Sequence, residues 1–187
     1  MIPDYKTYFE NGISYQTYLK NMELEMNSEI ETKYSKYIPM NAQRMKRIEK
    51  TFSIDKDLVS IGSNIKWLVI SEHWCGDASQ ILPIMNEISN SSNGKIELKI
   101  IYRDSNPSLI AEHLTNGSQS IPKLIQLTHD FKLISDWGPR PKTAQELVIK
   151  LKSDPNTALT YSEELHKWYA QNKQKEILEE LLTLLKA

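Results

Sequence analysis

The chain has 187 residues, which is enough to bury a normal core in one domain of about 110 residues with extensions at its ends. Its 23 basic and 24 acidic residues leave a net charge of −1, and no basic stripe or acidic tail points to nucleic acid or a membrane surface as a partner. One cysteine excludes a disulfide framework and favours a reducing, cytoplasmic location. We expect neither secretion nor a membrane span, because the first residues lack a signal-peptide pattern and no apolar run approaches about 18 residues.

Residues 1–56 are predicted to form a helical extension. Ser14 can cap one helix and Asn41 a second. Their apolar residues recur at helical spacing and are Tyr15, Tyr18, Leu19, Met22 and Met26, then Met45, Ile48 and Phe52. We interpret this stripe as core contact with the main domain, with a ligand or partner groove as the alternative. The basic residues of the second helix, interpreted as a solvated face, are Arg44, Lys46, Arg47 and Lys50.

The central domain is predicted to span residues 57–153 and opens with an apolar run, Ile65 to Ile70. Such a run is typical of a strand that is covered on both faces. It is followed by Trp74-Cys75-Gly76-Asp77-Ala78 and by a helix predicted from Ser79 to about Ser89. A cysteine at the first turn of a helix lies beside unpaired N–H groups and the positive end of the helix dipole, which favours thiolate. Cys75 is therefore a candidate reactive thiol, with a small buried apolar residue as the alternative.

Five further elements, three strands and two helices, complete the predicted domain. The alternation of Ile96, Leu98, Ile100 and Tyr102 predicts a strand. Asn106, followed by Pro107, is interpreted as a helix N-cap, with Gly117 ending that helix. Pro122 to Leu127 and Phe131 to Trp137 are predicted to form an antiparallel hairpin. Thr143 to Glu146 has the spacing of a capping box that opens the last helix.

Residues 154–187 are predicted to form one long C-terminal helix, opened by a second capping box from Thr160 to Glu163. Its apolar residues recur at three and four and are Leu165, Trp168, Tyr169, Ile177, Leu178, Leu181, Leu182 and Leu185. We interpret them as a face that docks on the rest of the chain, with a dimer interface as the alternative.

Other polar residues near the motif are candidates for chemical roles. His73, Cys75 and Asp77 are potential metal ligands, but alternating neighbours seldom converge on one ion, so no metal site is expected. Arg140 is interpreted as a fork for an acidic partner, as an offset to Asp77 or as a structural loop residue. Glu72 is a candidate proton acceptor. The remaining histidines, interpreted as surface or capping residues, are His113, His129 and His166.

Three spacings around Cys75 resemble those of thioredoxins. Pro83 stands eight residues after the cysteine, where thioredoxins carry the proline of their active-site helix. Ile121-Pro122 follows a loop and opens an apolar run, like the cis-proline that faces the thiol in thioredoxins. Gly138 lies sixteen residues further on, where thioredoxins keep a glycine that lets a partner chain approach. The Trp74-Cys75-Gly76-Asp77 motif is similar to that of a bacterial branch of the thioredoxin superfamily.

The resemblance implies an α/β fold, a thioredoxin-like α/β/α sandwich around a mixed four-stranded sheet with helical extensions at both termini. It implies Cys75 as the catalytic residue and no cofactor. The substrate-binding residues that it implies are Trp74, Gly76, Asp77, Ile121, Pro122 and Gly138.

Two departures from the thioredoxin pattern bear on function. Ala78 occupies the position of the resolving cysteine, so the chain cannot form an intramolecular disulfide. Val69 occupies the position of the buried aspartate that manages protons in thioredoxins. Asp77 adds a negative charge beside the thiol, which should raise the pKa of Cys75.

Two functions follow from this pattern. The first is a monothiol disulfide oxidoreductase in which an external thiol resolves the intermediate on Cys75. Its partners would be a protein or a low-molecular-weight thiol or disulfide, with the chain as a monomer or homodimer. The alternative is a non-redox module that binds an extended peptide along the cis-proline edge, with the thiol incidental.

Overall fold

A computed structural model of the chain describes residues 3–59 and 61–186. The strands in this part of the chain are β1 Ile65–Ser71, β2 Ile96–Tyr102, β3 Lys123–Thr128 and β4 Leu133–Trp137. The α-helices are α1 Tyr5–Asn11, α2 Tyr15–Met26, α3 Ile38–Thr51, α4 Gly76–Ser91, α5 Pro107–Ala111, α6 Lys142–Ser153, α7 Tyr161–Asn172 and α8 Lys175–Leu184. The domain ranges 1–56, 57–153 and 154–187 stay predictions, and they include residues 1, 2, 60 and 187, which lie outside the described residues.

The four strands form one mixed sheet, as predicted, and their order in the sheet is β2-β1-β3-β4. Strand β1 is parallel to β2 and antiparallel to β3, and β3 is antiparallel to β4. Residues 67–70 of β1 are fully buried, because helices cover the sheet and β1 lies between two other strands. The end of this central strand therefore delivers the chain to the Trp74-Cys75-Gly76 motif inside the molecule.

The antiparallel pairing of β1 with β3 places a second loop beside that motif. Ile70, near the end of β1, pairs with Lys123, the first residue of β3. The residues immediately before β3 are Ile121 and Pro122. Since the end of one antiparallel strand lies beside the start of its neighbour, the Ile121-Pro122 loop faces the residues that follow β1.

The N-terminal helices pack on the rest of the chain, as the methionine and tyrosine pattern predicted, except that Met26 at the end of the stripe is exposed. Tyr15, Tyr18 and Met22 of α2 are buried, and the Ser14 hydroxyl accepts a hydrogen bond from the backbone N–H of Thr17. Before α2, Ile13 exchanges two backbone hydrogen bonds of 2.8 Å with Ile100 of the edge strand β2. The extension thus covers an edge of the sheet that would otherwise stay unpaired.

The prediction that Asn41 caps the second helix is wrong. Helix α3 begins at Ile38, where Pro39 has the fixed φ suited to a first helical turn. Asn41 lies inside the helix and is buried, and its side chain donates a hydrogen bond of 3.0 Å to the backbone carbonyl of His73. The residue therefore ties α3 to the loop that carries Cys75. Helix α1 was not predicted.

Three predicted helix ends in the second half are also wrong. Helix α5 ends at Ala111 instead of Gly117. Helix α6 begins at Lys142, and Thr143 does not cap it, because the Thr143 hydroxyl donates instead to Glu176 of α8. The predicted single C-terminal helix is two helices, separated at Lys173 and Gln174, which have φ values of 50° and 66°.

The C-terminal helices dock on the domain. Ile177 and Leu181 of α8 are fully buried. The indole N–H of Trp137 in β4 donates a hydrogen bond of 2.6 Å to Glu180, and Gln126 of β3 donates one of 3.0 Å to the carbonyl of Leu184. The apolar face of the C-terminal helices, for which a dimer interface was the alternative, therefore packs against the chain's own domain.

Candidate active site

Cys75 occupies the N-cap position of α4, at the junction predicted from the sequence. Its sulfur accepts a hydrogen bond from the backbone N–H of Ala78 at 3.4 Å. The thiol also donates to the carbonyl of Ile121 at 3.2 Å, a bond that only the protonated form can make. The loop before β3 and the first turn of α4 thus hold the sulfur from two sides, and the residue is only 5% exposed.

Cys75, the candidate reactive thiol, is buried and not activated in this structure. Burial, followed by the negative charge of Asp77, raises the pKa of Cys75 to about 12. The N–H groups of Ala78 and Asp77 and the cation of Arg140 act in the opposite direction but do not outweigh burial. At neutral pH the thiol is therefore protonated and shielded from solvent.

Asp77, two residues beyond the thiol, is the centre of a buried polar cluster. Its carboxylate accepts a hydrogen bond of 2.7 Å from the hydroxyl of Tyr169 and pairs with Arg140 at 2.6 Å. Burial disfavours the Arg140 cation, but the charge of Asp77 outweighs it and raises the pKa of Arg140. The interpretation of Arg140 as an offset to Asp77 is thus confirmed.

Gly138 supports the loop that faces the thiol. The Ile121–Pro122 peptide bond is cis, and Gly138 has a φ of +114°. A β-carbon on Gly138 would lie 2.4 Å from the backbone carbonyl oxygen of Pro122. The glycine is thus needed for contact within the chain, whereas the resemblance implies that it leaves room there for a partner.

A family model described as "Thioredoxin" matches residues 13–153, and this range contains the sheet, α2 to α6 and the Cys75 motif. The chain belongs to the thioredoxin family.

Curated relatives of this family member are thioredoxins. It is 31% identical over 77 residues to thioredoxin 1 of a Nostoc species, which is 41% of this chain and 69% of the relative. It is 30% identical over 70 residues to a thioredoxin of a Synechocystis species, which is 37% of this chain and 63% of the relative. Thioredoxin M5, chloroplastic, from Oryza sativa is 29% identical over 76 residues, which is 41% of this chain and 42% of the relative.

Two solved structures share the fold along almost the whole chain. A protein of unknown function from Pseudomonas aeruginosa superimposes with a TM-score of 0.67 at 16% identity, covering 99% of this chain and 98% of that one. An HIV epitope-scaffold superimposes with a TM-score of 0.65 at 16% identity and 98% coverage of both chains. The terminal helices of this thioredoxin-family protein therefore also occur in other structures.

The two departures from the thioredoxin pattern are visible in the structure. Ala78 is 1% exposed and lies within hydrogen-bond distance of the Cys75 sulfur, at the place where a resolving thiol would be. Val69 is fully buried in β1. The site therefore has a thiol without the second cysteine or the buried carboxylate of the dithiol thioredoxins.

The histidines of the chain have different roles. Nδ1 of His73, one of the potential metal ligands, donates to the carboxylate of Glu25 at 2.6 Å, and Nε2 lies 3.1 Å from the hydroxyl of Tyr102, so both of its ring nitrogens are engaged. His113 is buried between Tyr5 and Asp136, at 3.0 and 2.9 Å, which contradicts a surface position. His129 is exposed. In the described part of the chain, no three His, Cys, Asp or Glu side chains are placed to hold a metal ion.

Glu72 has a structural contact in this arrangement. Its carboxylate accepts a hydrogen bond of 2.9 Å from the backbone N–H of Asp104. Burial raises its pKa above the ordinary value.

Within residues 3–59 and 61–186, no helix has the length and apolar character needed to cross a membrane.

A cleft of about 490 Å³ opens beside the motif, between α3, α7 and the residues that follow Cys75. Its lining includes Trp74, Gly76 and Asp77 together with Arg44 and His166. The sequence pattern places Arg44 on a solvated face and His166 at the surface or in a cap, so neither is predicted at this site. Tyr169 is not predicted there either, although a tyrosine within an apolar stripe is a signal that its hydroxyl needs a partner.

Proposed function

We propose that this thioredoxin-family protein is a monothiol disulfide oxidoreductase that acts through Cys75, with an external thiol that resolves the intermediate. The observation that carries the proposal is the setting of the sulfur. It caps α4, receives the N–H of Ala78 and lies 3.2 Å from the Ile121 carbonyl. A thiolate at that position would be stabilised by the helix dipole and by the same N–H groups.

The proposed reaction is two successive exchanges. Cys75 first loses its proton, and its thiolate attacks one sulfur of a disulfide R–S–S–R′. A Cys75–S–S–R bond forms, and the leaving thiolate R′–S⁻ takes up a proton. The thiolate of an external thiol R″–SH then attacks the R sulfur, which forms R–S–S–R″ and returns Cys75 to the thiolate. An external thiol is required because the chain has only one cysteine.

The reaction requires the thiol to become exposed. Tyr169 holds Asp77 from α7, and Asp77 follows the thiol by two residues. We propose that separation of α7 from Asp77 opens the site. Water would then reach the sulfur and remove the largest cause of its raised pKa, which is burial. The Arg140 cation, which already lowers the pKa of Cys75, would remain beside it.

We propose that the substrate contacts the residues around the opened thiol: Trp74, Gly76, Asp77, Ile121, Pro122 and Gly138. Backbone groups of the Ile121-Pro122 loop would bind an extended segment of a protein disulfide or the arms of a small one. The protein would act as a monomer or homodimer on protein or low-molecular-weight disulfides.

A second candidate is a non-redox module that binds an extended peptide. The observation that favours it is the burial of Cys75 together with its raised pKa of about 12, since both suppress thiolate chemistry. In this case the sulfur would act as a small buried group that orders the Ile121 loop, and peptide binding would survive Cys75→Ser.

Mass spectrometry separates the two candidates. The native protein is incubated with hydroxyethyl disulfide between about pH 7 and 10, and the adduct is then exposed to a second thiol. The redox proposal expects a mixed disulfide on Cys75 that the second thiol removes, and none on Cys75→Ser. An unmodified native protein whose urea-unfolded form reacts readily would exclude the redox function and leave the binding module.

A further inference from the structure

Arg44 is a cation at the wall of the cleft, and it has no anionic partner among the residues that the structure describes. Its side chain is partly buried, and Nη1 donates a hydrogen bond of 3.1 Å to the neutral side chain of Asn41. No carboxylate of residues 3–59 or 61–186 lies within 4.0 Å of its guanidinium. Burial, together with nearby Arg47, lowers the pKa of Arg44. A partly desolvated charge of this kind is costly until a counter-charge binds.

His166 faces the same part of the cleft from α7. Its Nδ1 is buried and has no hydrogen-bond partner among the residues that the structure describes. The point that a β-carbon on Gly76 would occupy lies 3.6 Å from the ring of His166 and 3.8 Å from Nη1 of Arg44. The two side chains thus converge on the start of α4, and the absence of a side chain at Gly76 keeps that space open.

Asp77 also lines the cleft, but its charge is already offset. Arg140 pairs with one carboxylate oxygen at 2.6 Å, and the hydroxyl of Tyr169 donates to the other at 2.7 Å. Of the charged groups here, Arg44 therefore remains without a matching charge. The helix dipole at the start of the 16-residue helix α4 adds to the positive potential.

Aromatic rings form a further part of the lining. Tyr34 stacks on Trp74 with a centroid distance of 4.5 Å, and Tyr37 and Tyr161 line the opening. A volume of about 490 Å³ is within the range of small-molecule sites. The cleft therefore offers flat apolar contact next to an unmatched positive charge.

We propose that this cleft binds a small organic anion whose carboxylate or phosphate contacts Arg44 and His166 and whose apolar or aromatic part lies against Trp74 and Tyr37. The site goes beyond the thiol chemistry, because Gly76 and Asp77 line the cleft and the Cys75 sulfur points to the Ile121 carbonyl. Binding and disulfide exchange can therefore be tested separately.

The test is a ¹⁵N NMR titration of the full chain with four probes: 3-phenylpropionate, phenyl phosphate, uncharged 3-phenylpropionamide and inorganic phosphate. We expect saturable shifts at Gly76, His166 and the Trp74 indole with at least one aromatic anion, and weak or no shifts with the amide. The stronger of the two aromatic anions identifies the anionic group. No saturable shift at these residues, or equal binding of the amide, would overturn the proposal.

Two arginine variants sharpen the test, since both remove one positive charge from α3. Arg44→Gln should weaken binding by about tenfold or more, because a charge-assisted hydrogen bond is lost. Arg47→Gln, whose side chain is exposed, should stay within about twofold. Equal loss in both variants would mean non-specific attraction and contradict a site at Arg44. Cys75→Ser should bind as the parent does, whatever the outcome of the disulfide experiment.

Discussion

The hydroxyl of Tyr169 donates a hydrogen bond of 2.7 Å to the carboxylate of Asp77. The contact joins α7 to the first turn of α4, two residues beyond the thiol. Helix α7 lies outside residues 13–153, which the thioredoxin family model matches. Helix α7 thus contributes a hydrogen bond directly to the site of the thioredoxin core, next to the buried Cys75.

Removal of that hydroxyl should loosen the site. In Tyr169→Phe the buried carboxylate of Asp77 loses one of its partners, which should lower the free energy of unfolding by about 1 to 3 kcal/mol. Iodoacetamide should then modify Cys75 faster than in the parent, because α7 is held less firmly. Tyr161→Phe is the control, since the Tyr161 hydroxyl has no hydrogen bond with a described residue. Equal alkylation rates in all three proteins would mean that Tyr169 does not control access to the thiol.

The reactivity of Cys75 should depend steeply on pH. Burial and Asp77 raise its pKa to about 12 from an ordinary value of 9.0. The thiolate fraction at pH 7 is therefore about a thousandfold lower than for an unperturbed cysteine. Alkylation of the native protein should rise about tenfold per pH unit up to about pH 11. A plateau near pH 8 would show that the reacting form of the protein has an ordinary or activated thiol.

The same pKa predicts how stability changes with pH. Between about pH 9 and 12 the folded state keeps the proton on Cys75, while the unfolded state loses it. The contribution of Cys75 to stability is thus fully present below pH 9 and is lost as the pH rises towards 12, by about 1.4 kcal/mol per pH unit. The free energy of unfolding of the parent, measured in urea, should therefore fall more steeply with pH than that of Cys75→Ala in this range. Parallel curves would contradict the raised pKa, since the tyrosines titrate in both proteins.

The strands and the position of the thiol were predictable because each depends on a local pattern. A continuous apolar run predicted a strand from Ile65 to Ile70, and β1 spans Ile65–Ser71. Alternation predicted β2 with the bounds that it has, Ile96–Tyr102. A strand that is buried on both faces has a continuous apolar run, and a strand that is buried on one face has alternating apolar residues, so both patterns can be read from the sequence.

Contacts between distant elements left no such signal. Arg44 lies among the polar residues of α3, and nothing in the sequence around it indicates that His166 of α7 will lie nearby. The break between α7 and α8 was missed because Tyr169 and Ile177 are eight residues apart, a spacing that keeps them on one face of a continuous helix, and no glycine or proline marks the break. At the break, the side chain of Asn172 accepts the backbone N–H of Glu176 in the first turn of α8. Such a local side-chain contact offers the backbone an alternative to the continuous helix.

A second cysteine at position 78 should close a ring with Cys75. The backbone N–H of Ala78 lies 3.4 Å from the sulfur, so the two residues face each other across one turn. Oxidised Ala78→Cys should lose about two hydrogens by mass, on the stoichiometry of thiol oxidation. We expect weak insulin reduction by this variant and none by the parent, because Asp77 and burial still oppose the thiolate. Only intermolecular dimers would show that the two positions do not meet.

Gly138 should be the glycine least tolerant of a side chain. In Gly138→Ala the new β-carbon would lie 2.4 Å from the carbonyl oxygen of Pro122, and the φ of +114° is unfavourable for alanine. The loop must shift, so we expect a loss of about 2 to 4 kcal/mol in the free energy of unfolding. A shift of Pro122 would also move the Ile121 carbonyl away from the Cys75 sulfur, and Cys75 should become easier to alkylate. Gly62→Ala is the matched control and should be nearly neutral, because no atom of another described residue lies within 4 Å of the position that its β-carbon would occupy. If urea unfolding of the two variants gives equal stabilities, the close contact between Gly138 and Pro122 does not hold in solution.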